Sequence, residues 1–194
     1  MVPEPSVEPG AQLRESYEAK AVSELAAADV LVPGSAAIAG SGALFAAVVL
    51  LKGNPGEEDR AAGRALAGAD GEAADKVLVA LGLDPDATWR MCTRVPSDGG
   101  CDAGADAGAG DAAADARARR VELAVEAVDP DLVIALDLEA GEDLARAFGL
   151  PRLEPGRPRP VRGRTIGAVS GLADSLADPR AKARVWAELR RVAG

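Results

Sequence analysis

The sequence predicts an α/β fold: a three-layer α/β/α sandwich around a four-stranded parallel sheet. Two observations carry this. Short apolar runs at 46–51, 88–93, 132–136 and 165–169 each end in a turn, as buried strands do. Segments with helical apolar spacing lie between them, and alternating strands and helices imply a parallel sheet covered on both faces. A length of 194 residues suffices for one domain with a sizeable core. That domain is read as 11–194, behind a disordered, Pro-rich N-terminus at 1–10.

Each element has its own justification. Residues 11–28 are a helix whose apolar face is Leu13, Tyr17, Ala21 and Leu25. Gly, Pro and Ser punctuate 30–44, which reads as a connection. The first strand, 46–51, breaks at Lys52-Gly53-Asn54-Pro55-Gly56, and a loop runs on to Gly71. Residues 72–82 are a helix with Ala73, Val77 and Ala80 or Leu81 inward and Gly82 as its cap. Asp84-Pro85-Asp86 turns the chain into the second strand, 88–93. Ser97–Asp115 is rich in Gly, Ala and Asp; the spacing fits no calcium motif, so it reads as a flexible insertion.

Residues 116–128 form a helix with Val121, Ala124, Val125 and Val128 on its apolar side, stopped by Asp129-Pro130. The third strand, 132–136, has the apolar makeup of a buried parallel strand. A helix at 140–148 ends at Gly149, a Pro/Arg-rich loop covers 151–164, and the fourth strand is 165–169. Asp178 caps the last helix, Pro179 takes its first position, and Val185, Leu189 and Val192 line one side. In such a sheet, ligands bind outside the carboxyl ends of the strands. Four loops meet there: 52–59, 92–99, 137–141 and 170–175.

Composition narrows the chemistry. A net charge of −9 argues against strong non-specific binding to nucleic acid. The chain has no histidine, hence neither the usual general base near neutral pH nor the commonest metal ligand. Cys92 and Cys101 are too few for an iron–sulfur cluster; they read as reduced thiols, with a disulfide between them as the alternative. No cofactor or metal is expected. Residues 30–51 lack charge but are interrupted by Gly, Pro and Ser, so no membrane span is expected. No signal peptide is visible. The expected protein is cytoplasmic and monomeric.

Several stretches resemble the motifs of a known family. Lys52-Gly53-Asn54-Pro55-Gly56, Gly63-Arg64-Ala65-Leu66-Ala67-Gly68, and Gly71 with Asp75 follow one another as the first signature of the uracil-DNA glycosylase superfamily does. Met91-Cys92-Thr93-Arg94-Val95 takes the place of its middle motif, Val128 to Asp137 resembles a core strand, and Leu176, Pro179 and the helix to Leu189 resemble its end. Over about residues 40–190 the chain resembles the bacterial iron–sulfur branches of that superfamily.

The departures fall on the chemistry. Gly53 stands where the family has an acidic residue that holds water, Leu66 where an aromatic stacks on the extruded base, and Cys92 where an Asn reads the base. Gly171 stands where a His stabilises the leaving anion, and the cluster cysteines are missing. The resemblance implies a uracil-DNA glycosylase-like domain of DNA-repair ancestry that has lost base excision and acts as a binding or partner module. The alternative is a divergent active glycosylase with Glu57 or Asp59 as relocated catalytic acids. A small-molecule sensor between the four loops is a third reading. The ligand-binding loops would comprise Gly53, Asn54, Pro55, Gly56, Leu66, Cys92, Ser170 and Gly171. N–H groups of the 53–56 turn could cradle an anion. The arginines of 152–164 (Arg152, Arg157, Arg159, Arg162, Arg164) could meet DNA or a protein partner.

Overall fold

The computed structural model describes residues 9–95 and 107–194. Within them, a six-stranded, mostly parallel sheet is packed with seven α-helices. The four expected parallel strands are β2 (Val48–Lys52), β3 (Thr88–Cys92), β4 (Leu132–Ala135) and β6 (Arg164–Ala168). They pair in the order β3-β2-β4-β6, so the chain reverses its direction of travel across the sheet between β2 and β4.

The expectation of four strands is corrected to six. Two short antiparallel strands flank the parallel set: β1 (Ser41–Gly42) on β3 and β5 (Arg159–Val161) on β6. Both fall in segments read as connections. β5 and β6 form a hairpin across Arg162 and Gly163, which both have positive φ (48° and 85°), the mark of a tight primed turn.

Side chains pointing alternately to the two faces of the sheet build two cores. Val49, Leu51, Met91, Val133 and Ile166 face α4 (Ala107–Val128) and α5 (Leu138–Ala147). Val48, Leu50, Leu132 and Ile134 face α3 (Ala69–Ala80), α6 (Leu172–Ser175) and α7 (Pro179–Ala193). With about 25 cal/mol per Å² of apolar surface removed from water, these two layers supply the main drive to fold. Asp178 accepts from the Arg180 N–H, and Pro179 opens α7 as expected.

Other expectations need correction. α1 (Pro9–Val30) forms, but of its proposed face only Ala21 is buried and Leu25 half-buried; Leu13 and Tyr17 stand 59% and 55% exposed. Its first turns therefore extend past the body it packs on. The loop after Gly56 contains a further helix, α2 (Glu57–Ala62). In α3 the deepest residues are Ala74 and Leu78, one position on from the predicted stripe. Leu83 N–H bonds the Leu78 carbonyl and Gly82 N–H the Val79 carbonyl, so Gly82 closes that helix as expected. Residues 107–115, read as loop, are the first turns of α4: alanine is the best helix former, and Asp115 there accepts from Arg146 Nε at 2.7 Å. Residues 1–8 and 96–106, including Cys101, lie outside the described residues.

Candidate functional site

In their described residues the four loops do converge at one edge of the sheet, and hydrogen bonds tie them in series. Thr93 N–H bonds the Lys52 carbonyl (2.7 Å) and Arg94 N–H the Gly53 carbonyl (3.0 Å). Gly53 N–H bonds Asp137 Oδ2 (2.8 Å), and Leu172 N–H bonds the Leu136 carbonyl (2.8 Å). The edge is thus a stitched surface.

At its centre is Lys52, the last residue of β2. Its Nζ bonds Asp59 Oδ2 at 2.5 Å and also Asp70 Oδ2. Asp59 is 1% exposed, and its carboxylate also accepts from the N–H groups of Gly56 and Ala67, both at 2.8 Å. Burial pushes the Asp59 pKa upward, but Lys52 and those two N–H groups outweigh it, so the carboxyl titrates below its usual range. Burial pulls Lys52 down, but the two aspartates outweigh it and hold the ammonium above its usual value. At neutral pH the lysine stays charged and Asp59 stays ionised, which suits a brace between β2, α2 and α3.

Where the strand order reverses, α/β sheets usually open a crevice. Here Asp137 closes it. Its Oδ1 caps α5 through the Ala140 N–H (2.7 Å) while Oδ2 holds Gly53. Burial pushes the Asp137 carboxyl upward, and its two backbone donors only partly oppose that. A Cβ on Gly53 would stand 2.6 Å from Glu139 Cβ and 2.8 Å from Asp137 Oδ1. No side chain fits at position 53 unless the start of α5 moves.

The remaining candidates divide by burial. Leu66 is 2% exposed and belongs to the α3/α7 core. Cys92 is 1% exposed and packs with Ile38 and Ala65; burial, with Asp59 nearby, pushes its thiol up to about 12, so it stays protonated. Pro55 and Gly171 are buried, Asn54 and Glu57 exposed, and Gly56 half-buried. Gly171 has φ 142°, a conformation that strains any residue with a Cβ. Ser170 donates its N–H to Glu188 Oε2, and its hydroxyl accepts from Arg184 Nε. In the 53–56 turn, the Gly53 and Gly56 N–H groups already serve Asp137 and Asp59.

Beside this edge lies a cleft of about 770 Å³ between α4, α5 and residues 150–153. Asp143, 3% exposed, is its polar hub: it accepts from the Thr93 hydroxyl (2.7 Å), Arg94 Nε (3.1 Å) and Arg117 Nε (3.4 Å). Arg152 lines the cleft and is exposed. The other arginines of 152–164 are mostly engaged within the chain. Arg157 pairs with Glu154, Arg162 with Glu122 and Glu126, and Arg164 with Glu126 and Asp129. Arg162 also lies 5.4 Å over the Phe148 ring.

The reading from sequence missed Lys52, Asp70, Asp137 and Asp143 as organising residues. The available signal was a lysine ending an apolar strand, with acids seven and eighteen positions later. No protein-family model matches this chain, and no curated protein matches it. What is shown is the architecture: a mixed α/β chain with a mostly parallel six-stranded sheet. No helix among the described residues is long and apolar enough to cross a membrane.

Proposed function

We propose that this chain is a uracil-DNA glycosylase-like domain that has given up base excision and works as a binding module for a protein partner. The observation that carries this is the lack of room at Gly53, where the start of α5 excludes the water-holding acid that the resemblance calls for. Three further features support it. Leu66 is committed to the core rather than to stacking, Cys92 is an inert buried thiol, and Asp59 is locked to Lys52. Base excision needs groups that hold the extruded base and stabilise the leaving anion. A protein partner is favoured over DNA because the net charge is −9 and Arg157, Arg162 and Arg164 are neutralised within the chain. The cleft beside Arg152 is the surface we assign to that partner.

The test uses the purified full chain with a labelled uracil-containing oligonucleotide. No strand scission after alkali, and no retarded complex at low salt, are expected even with protein in excess. Uracil release that disappears in Glu57→Gln or Asp59→Asn would overturn the reading in favour of a divergent glycosylase. Cross-linking to one protein that is lost in Arg152→Glu would support the assigned surface.

A further inference from the structure

On the far side of the sheet from α3 and α7, a separate cavity of about 250 Å³ lies between α1, α4 and strands β1 and β3. Leu25, Leu44, Met91 and Ala124 form its apolar wall. The described residues have two buried side-chain nitrogens without a well-formed hydrogen bond, Trp89 Nε1 and Arg120 Nη2, and both residues line this one cavity. Trp89 is 8% exposed and Arg120 fully buried. Arg120 is held by Asp29, whose Oδ1 lies 2.8 Å from Nη2 and accepts from Nε, and by the Cys92 carbonyl, which accepts from Nη1. Its charge is therefore already balanced. The Trp89 indole N–H meets no acceptor. Its edge lies against Gly40, where a Cβ would come within 2.9 Å of Nε1.

Leaving a buried donor unpaired is costly and rare in native chains, and because the nitrogen itself is closed off from the cavity, a ligand reaches it only if the indole turns away from Gly40. An apolar cavity of about 150 Å³ is enough to hold benzene, so this one has room for a ring with a short substituent. We infer that the cavity is a binding site for a small, neutral, mainly apolar molecule carrying one hydrogen-bond acceptor, a carbonyl oxygen being the simplest, which takes the Trp89 indole N–H. An anion is disfavoured because the Asp29 carboxylate shares the cavity wall. The exposed Val22 marks the rim through which a ligand enters.

The probes are acetophenone and ethylbenzene, which share a carbon skeleton and differ in the carbonyl. The full chain has two tryptophans, Trp89 and Trp186, so its nitrogen-15 NMR spectrum carries two indole signals, assigned with Trp186→Phe. Acetophenone is expected to move the Trp89 signal downfield saturably and to bind about fivefold tighter than ethylbenzene, the worth of one net hydrogen bond. Trp89→Phe should abolish that preference. Val22→Trp, a change at an exposed position that leaves the core alone, should weaken both ligands. The inference is overturned if neither probe binds at millimolar concentration, or if both bind equally and Trp89→Phe changes nothing. It is equally overturned if the indole N–H contacts a long-lived water that acetophenone does not displace, which would make this a hydration site only.

Discussion

Lys52→Met keeps the length and apolar stem of the side chain and deletes its charge. Asp59 and Asp70, 1% and 8% exposed, then face each other without a cation. Removing one partner of a buried ion pair costs about 3–5 kcal/mol. The lower end applies here, because Asp59 keeps the N–H groups of Gly56 and Ala67 and Asp70 keeps that of Gly71. In a chain of this size each kcal/mol moves Tm by about 2–4 °C, so Tm at neutral pH should fall by roughly 6–12 °C, followed by circular dichroism. The pH profile supplies a second readout. The Asp59 pKa is lowered by folding, so its stabilisation is present above the unfolded value of about 3.9 and lost as pH falls through the folded one. The Lys52 pKa is raised, so its stabilisation is present below the unfolded value of about 10.4 and lost as pH rises through the folded one. The natural chain should lose stability at both extremes. Lys52→Met should instead gain stability as pH drops from neutral toward about 4, where the stranded Asp59 carboxylate takes up a proton. Lys52→Met combined with Asp59→Asn and Asp70→Asn should recover most of the loss. A single variant that melts with the natural chain and shares its pH profile would refute the brace and imply a solvated lysine at an open edge.

Three further outcomes follow from the same edge. Leu66→Ala should cost about 2–5 kcal/mol in urea unfolding, the range for a buried leucine, whereas a side chain reaching into an open ligand site would cost far less. Gly53→Ala should cost about 1–3 kcal/mol by overpacking against Glu139; an unchanged Tm would mean that position 53 has room for a side chain after all. In a Cys101→Ser background, Cys92 should react with a disulfide reagent at mildly alkaline pH only after unfolding, because its thiol titrates near 12. Rapid labelling of the folded chain would contradict its burial.

The parallel strands were legible because a buried parallel strand is apolar on both faces: Val48–Leu51 and Leu132–Ala135 announce themselves without context. The edge strands were not. β1 is two residues beside a glycine, and β5 contains Pro160 and turns through Arg-Gly, where hairpins usually signal with Asn-Gly or Asp-Gly. Residues 107–115 look like loop by composition, yet helix propensity and the ion pairs of Asp111 and Asp115 with Arg146, distant in sequence, draw them into α4. The convergence of four loops could be read from strand order. Their closure could not, because it depends on contacts spanning 84 residues, as between Gly53 and Asp137. Arg120 was hidden for a similar reason: within a run of arginines nothing distinguishes the one whose acceptors come from α1 and β3.

The two outermost strands also bear on how copies of this protein meet. An unpaired strand border is a template for another chain's backbone, and short length and proline are the usual guards against that. β1 spans two residues, and β5 spans three with Pro160 at its middle. Edge-to-edge joining of sheets from molecule to molecule, a route to fibrils, thus finds little ladder to extend at either border.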